Sequence, residues 1–278
     1  MAGKGGASGW LSSWFARLRG TGGVDPTGLR LPPARLHRHD GYVSLQFRRG
    51  QTQSRMRGAE PDRLLIDYTR TMLAALLWRP RPVRIGIVGL GGGSQVKFLH
   101  RHLAQARLEV VENHPGVIAL RREFGIPDDD ARLEVVLDDG ARFVAARPGR
   151  YDLLLVDGYD ASGIPAALST PAFHAACRDA LAPGGVMASN LHGDDPAPRI
   201  ERLRDAFGAE RVLVVEEEKM SNRVAFAWTG DAPDGRDACV AAVHAALPAP
   251  ARRELAGVLE RIARVLRERD GVSSGCAS

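Results

Sequence analysis

Acids and glycines recur at the ends of apolar runs in the middle of this chain, and their placement is the first sign of chemistry. Val88 is followed by Gly89-Leu90-Gly91-Gly92-Gly93-Ser94. Glycines at 89, 91 and 93 let the backbone turn sharply and come close to a ligand. The helix opening beyond them offers free N–H groups and a partial positive charge. A dinucleotide fingerprint would place its third glycine at 94, where a serine stands. The alternation suits an adenosyl-amino-acid ligand better, although such clusters also make plain tight turns. Glu112 closes the next apolar run, a little over twenty residues past Gly89. A carboxylate there can accept both ribose hydroxyls, as in dinucleotide folds. Asp138-Asp139-Gly140 ends the third run; a side chain there could reach the exocyclic amine of an adenine, and either acid also suits a helix cap. We read Asp138 as the cap. Asp157 and Asp160 lie at the end of the fourth run.

These residues need a sheet to bring them together. From Val83 the pattern alternates between short apolar runs and helical stretches: strands at 84–88, 107–111, 133–137, 151–156 and 185–190, with helices at 94–103, 115–124, 141–146, 170–181 and 197–207 between and after them. Two runs, 211–215 and 223–228, look like a closing antiparallel pair. Strands this apolar are buried on both faces, so the expected fold class is α/β, a Rossmann-like, mostly parallel seven-stranded sheet. Ligands of such folds bind at the carboxyl edge of the strands, where all four features fall. Upstream, residues 35–56 alternate as strands, with Arg48-Arg49-Gly50 as a turn, and Leu64–Trp78 has helical spacing ended by Pro80 and Pro82. The expected organisation is a flexible leader over 1–30, a small β element plus helix over 31–80, a catalytic domain over 81–230 and a helical extension over 231–278. In that extension, Leu255, Val258, Leu259, Ile262, Val265 and Leu266 share one face of a helix. Such a face packs on the core or on a second subunit, so a homodimer is left open.

Composition narrows the function classes. The net charge of +5 comes from arginines scattered from end to end rather than gathered in a patch, so nucleic acid is not expected as a partner. No apolar stretch is long enough to span a bilayer, and residues 1–23 do not read as a signal peptide. The three cysteines, Cys177, Cys239 and Cys276, are far apart, which fits a reducing, cytoplasmic setting. The two HxH pairs, His37/His39 and His100/His102, lack an acidic or cysteine partner in sequence and read as surface histidines rather than metal ligands.

Between about Arg35 and Trp228 the sequence resembles the spermidine synthase (polyamine aminopropyltransferase) family. The resemblance is carried by Gln53-Ser54, Gly91-Gly92-Gly93, Val111-Glu112, Asp139-Gly140, the run Tyr151–Asp160 and Leu181-Ala182-Pro183-Gly184-Gly185, with Gly163–Leu168 similar to the family's gate loop. It implies a co-substrate, decarboxylated S-adenosylmethionine, a small-molecule amine acceptor and no metal. By that resemblance Asp157 corresponds to the catalytic aspartate and Asp160 to a nearby acid on the substrate loop. Glu112 corresponds to the ribose ligand and Asp139 to the adenine ligand, while Gln53 and Tyr68 sit near the amine. Tyr159 either lines the pocket between the two aspartates or covers the sheet end.

Three departures concern the amine half. The family's glycine run is usually followed by aspartate, where Ser94 stands. No acid follows Tyr68, since the chain continues Thr69-Arg70-Thr71-Met72, and His114 occupies a position where the family often has aspartate. Two other readings therefore stay open: a methyltransferase using S-adenosylmethionine on the same frame, favoured by Ser94, and a non-catalytic nucleoside-binding protein.

Overall fold

The computed structural model describes residues 23–48, 51–160, 163–193, 195–233 and 237–275. Most of the expected leader, the Arg49-Gly50 part of the expected turn and Cys276 lie outside the described residues.

The chain first builds a three-stranded antiparallel sheet, β1 (Arg35–His39), β2 (Tyr42–Arg48) and β3 (Gln51–Arg57). Asp40-Gly41 joins β1 to β2 with φ of 50° and 76°, the two-residue hairpin turn whose twist matches its strands. An extended segment leads to α1 (Asp67–Leu73), which tightens into a 3-10 turn over Ala74–Leu77. The helical spacing from Leu64 overstates this helix. The Leu64 N–H instead donates to Glu254 Oε1 at 2.7 Å, a contact across most of the chain that local periodicity does not carry.

The second sheet holds β4 (Arg84–Val88), β5 (Arg107–Glu112), β6 (Leu133–Leu137), β7 (Tyr151–Val156), β8 (Leu181–Leu191), β9 (Val212–Glu216) and β10 (Arg223–Trp228). Their order is β6-β5-β4-β7-β8-β10-β9. All neighbours are parallel except β10, which runs antiparallel to both β8 and β9. The intervening helices are α2 (Ser94–His102), α3 (Pro115–Ala119), α4 (Gly140–Ala145), α5 (Pro171–Ala180) and α6 (Ala197–Phe207). β8 begins earlier than expected because Leu181 already pairs with Tyr151, and an irregular stretch follows before Val186 pairs with Leu153.

Alternate side chains of one strand feed opposite cores. Leu153 and Leu155 of β7 join Leu73, Leu76 and Trp228 on one face, while Leu154 and Val156 join Phe143, Phe173 and Leu203 on the other. Two helices, α7 (Asp237–Ala246) and α8 (Ala249–Gly275), follow the sheet. Leu255, Leu259, Ile262 and Leu266 of α8 are at most 1% exposed and close the first core against α1 and its 3-10 turn. The apolar face of the last helix is thus consumed within the chain. The register aligns Val88 with Val111 and Val156, and Val156 with Ser189. The carboxyl ends of β4, β5, β7 and β8 therefore form one edge. The strand order reverses between β4 and β7, the crevice where ligands of open α/β sheets settle.

Candidate active site

A cavity opens at that edge. Its wall includes Gln53, Tyr68, Gly89, Gly91, Glu112 and Asp139, and continues through Gly140, Asp157, Tyr159, Asn190, His192 and Asn222. The floor is set by Gly89, whose φ is +96°. A Cβ there would lie 2.3 Å from the Asp157 carbonyl oxygen, so only glycine lets the ends of β4 and β7 approach so closely. The loop beyond is held by the N-terminal sheet: Gly92 N donates to Ser54 Oγ at 3.0 Å.

Glu112 closes β5 beneath this loop and is 8% exposed. Its Oε2 accepts from Leu90 N and its Oε1 from His114 N, both at 2.9 Å. Burial raises its pKa, and these N–H donors only partly offset that. Each oxygen keeps a second lone pair for a ligand hydroxyl. His114 also caps α3: its Nδ1 accepts from Gly116 N at 3.0 Å, so the Nε2 side donates to Pro32 O at 2.7 Å. The ring stacks on Phe47, 5.1 Å between centroids.

Asp139 keeps its place at the cavity and also takes the cap expected of Asp138. Asp139 is the N-cap of α4, with Oδ1 accepting from Arg142 N at 2.9 Å, while it also lines the cavity. Asp138 faces away, pairing with the Arg142 side chain. The cap is decided by which acid has extended φ and ψ directly before the helix; two adjacent acids look alike in sequence.

The other half of the cavity centres on Asp157. Its Oδ2 accepts from Tyr68 OH at 3.1 Å and its Oδ1 from Asn190 Nδ2 at 2.8 Å. Burial raises its pKa, and the Asn190 and Tyr68 hydrogen bonds oppose this without cancelling it. Tyr68 is pushed well above its ordinary value by burial and by the Asp157 charge, so it stays protonated as a donor. Tyr159 donates to Asn190 O at 2.9 Å and accepts from His192 N at 2.6 Å. Its ring therefore lines the cavity wall with the hydroxyl tied down. Pro165, Ala167 and Leu168 of the expected gate loop close one side, and Ile66 and Met220 add apolar wall.

Three expected contacts lie elsewhere. Gly93 has φ of +66° at the start of α2 and packs on Ile126, which a Cβ would strike at 2.4 Å. It shapes the loop from behind. Ser94 is the first residue of α2 and does not line the cavity, because the cavity meets the loop only at its Gly89 and Gly91 crest. Asp160 is half-buried at the neck of the following loop, where its N–H donates to Gly163 O at 2.8 Å, and it is also absent from the wall. Asn190 and Asn222 went unread in the sequence. Asn190 had one signal, an amide at the end of an apolar strand; Asn222 looks like any turn residue. Among the described residues, no group of three or more His, Cys, Asp or Glu side chains is placed to hold a metal ion. No described helix is long and apolar enough to cross a membrane.

Known proteins share this arrangement of sequence. The spermine/spermidine synthase domain is matched by residues 66–193. The chain is 35% identical over 187 residues to the polyamine aminopropyltransferase of Chromobacterium violaceum, covering 66% of this chain and 72% of that one. This chain belongs to the spermine/spermidine synthase family. Within the family, the polyamine aminopropyltransferase of Neisseria meningitidis serogroup A is 32% identical over 218 residues, covering 77% of this chain and 80% of its own. The fold is likewise that of a spermidine synthase solved with the transition-state analogue AdoDATO: TM-score 0.61 and 21% identity over 85% of this chain and 87% of that one. The family match spans Tyr68, the glycine loop, Glu112, Asp139, Asp157 and Asn190, whereas Gln53 and Asn222 lie outside it.

Proposed function

We propose that this protein is an aminopropyltransferase that joins the aminopropyl group of decarboxylated S-adenosylmethionine to an amine acceptor. The observation that carries the reading is the Asp157 carboxylate. It is buried at the end of β7, held on one oxygen by Tyr68 and on the other by Asn190, in a cavity shared with the Glu112 and Gly89–Gly91 half. Membership of a family whose relatives bear the name polyamine aminopropyltransferase supports it.

In this reading Glu112 takes the ribose hydroxyls, while Asp139 and Gly140 flank the adenine. The crest of the glycine loop passes beneath the nucleoside. The co-substrate supplies an aminopropyl arm on a sulfonium centre. An acceptor amine arrives as an ammonium with a solution pKa near that of lysine, about 10.4. Asp157 attracts this cation and accepts or relays one proton. A carboxylate whose pKa is raised by burial is a better proton acceptor than an exposed one. The freed lone pair forms the new N–C bond to the methylene beside sulfur, and the C–S pair returns to sulfur as neutral methylthioadenosine leaves. Gln53, Tyr68 and Tyr159 line the acceptor side. Most of the remaining acceleration comes from aligning two bound reactants, worth up to about 7–11 kcal/mol.

The test is to incubate the protein with decarboxylated S-adenosylmethionine or S-adenosylmethionine and a panel of primary amines, then identify the nucleoside product. Methylthioadenosine, with an aminopropylated amine, is expected. S-adenosylhomocysteine would replace this reading with methyl transfer, and no product with any amine would favour a binding protein.

A further inference from the structure

Asp157 does not end its network at Asn190. The Asn190 Oδ1 accepts from Asn222 Nδ2 at 2.9 Å. Both amides are nearly inaccessible, 4% and 5% exposed for the two residues. An ionised carboxylate only accepts, so Asn190 must turn its NH2 toward Asp157; its carbonyl then faces Asn222, which must supply a donor. The two ends of this short chain thus favour one and the same orientation of the Asn190 amide. Asn222 sits in the connection between β9 and β10, directly before the strand that pairs with β8. That connection is anchored at its base. The Glu217 N–H donates to Asn222 O at 3.0 Å, and Arg261 of α8 reaches Glu217 Oε1 at 3.2 Å, Glu216 O at 3.3 Å and Thr71 Oγ1 of α1 at 2.7 Å.

We propose that Asn222 is a positioning residue for the reaction: it locks the Asn190 amide with its donor side toward Asp157 and so fixes the carboxylate that meets the acceptor. The proposal rests on the role given to Asp157 above. A loose Asn190 could rotate its carbonyl toward Asp157, placing two acceptors against each other. Asn222 disfavours this, because with its own amide as placed the alternative orientation sets two buried NH2 groups face to face.

The test uses a readout independent of turnover, so that failure of the transferase reading and failure of this proposal are told apart. The full-length protein is labelled with carboxyl-13C aspartate and the Asp157 signal is assigned by its loss in Asp157→Asn. The titratable side chains bonded to or facing Asp157 are Tyr68 from α1 and Tyr159 from the loop after β7; both are held protonated above their ordinary range, so neither titrates beside it near neutrality. Asn222→Leu removes the donor without adding a charge or a titrating group. It should raise the Asp157 titration midpoint by about one pH unit or more, the scale of one hydrogen bond to a charged group. In an Asn190→Ala background the same substitution should move it by less than half as much. Turnover, if methylthioadenosine is formed, should fall about tenfold with the KM for the nucleoside unchanged. Equal displacement in both backgrounds, or none in either, would overturn the proposal. Asn222→Ala gives the same cycle should Asn222→Leu fail to fold. Absence of any displacement there would overturn the proposal equally.

Discussion

Replacing Asp157 with asparagine separates its charge from its shape. The amide can keep both contacts now made by the carboxylate: its oxygen accepts from Asn190 Nδ2, now 2.8 Å from Oδ1, and its nitrogen donates to Tyr68 OH, now 3.1 Å from Oδ2. What disappears is the negative charge and the proton acceptor. Turnover should fall by about two to four orders of magnitude, the usual contribution of a positioned base, or roughly 3–5 kcal/mol of barrier. The assay is methylthioadenosine release under saturating nucleoside, with nucleoside affinity measured by calorimetry and expected to stay within a few-fold. Stability provides an independent check. The pKa of Asp157 is raised in the folded state, so between the unfolded and folded values the native protein binds more protons and loses stability as pH rises. Ionised Asp157 therefore costs stability at neutral pH, and Asp157→Asn should melt at the same temperature or higher at pH 7. That advantage should vanish below the unfolded carboxylate range. Near-normal turnover in a folded Asp157→Asn protein would refute the mechanism. A large drop in melting temperature would refute the reasoning about the site, leaving Asp157 as a structural brace.

Glu112→Ala removes an acceptor for two ligand hydroxyls and also frees the Leu90 and His114 N–H groups. Nucleoside affinity should fall by about 10- to 150-fold, equivalent to 1.5–3 kcal/mol, and unchanged calorimetric affinity would remove Glu112 from the site. Gly91→Ala places a methyl 2.7 Å from Ser54 Oγ at a residue with φ of +50°; stability should drop by about 1–2 kcal/mol, with part recovered when Ser54→Ala is added. Chemical denaturation of the single and double variants measures this, and simple additivity would count against a clash. Lys97 is buried with its ammonium on the carbonyls of Pro61 and Phe124 at 2.6 and 2.7 Å, and burial lowers its pKa to about 8. The unfolded chain then binds more protons between about pH 8 and its ordinary value of 10.5, so this group makes stability rise with pH across that window. Lys97→Met should flatten that rise in melting temperature, and an unaltered slope would mean that Lys97 is not the group responsible.

The Glu112 side of the cavity was legible because strand periodicity, read with the logic of parallel sheets, brings Gly89, Gly91, Glu112 and Asp139 to one edge. Single-residue placement was less legible. Ser94 and Asp160 lie just outside the cavity wall, and curvature at Gly93 and at the Asp160–Gly163 bridge is invisible in a residue pattern. The cap falling on Asp139 rather than Asp138 has the same origin. The hairpin turn at Asp40-Gly41 was available as a signal and passed over. Asn222 was out of reach for a different reason: the fold of the β9–β10 connection is set by Arg261, and a polar residue in a turn carries no mark of what another helix does to it. The start of α1 was misjudged for the same cause, through Glu254.

The Arg261 clamp gives the two halves of the cavity different histories. The Glu112 half is drawn from one continuous stretch, Gly89 to Gly140, whose strands pair with near neighbours. The other half gathers residues from β3, α1, β7, β8 and the β9–β10 connection, and its last wall is pinned from α8. Contacts so distant in sequence close late, because the intervening loop entropy must be overcome first. A refolding chain is expected to complete the Gly89–Gly140 side of the cavity before the side around Asp157. Fraying of α8 as far as Arg261 should in turn loosen the β9–β10 wall first.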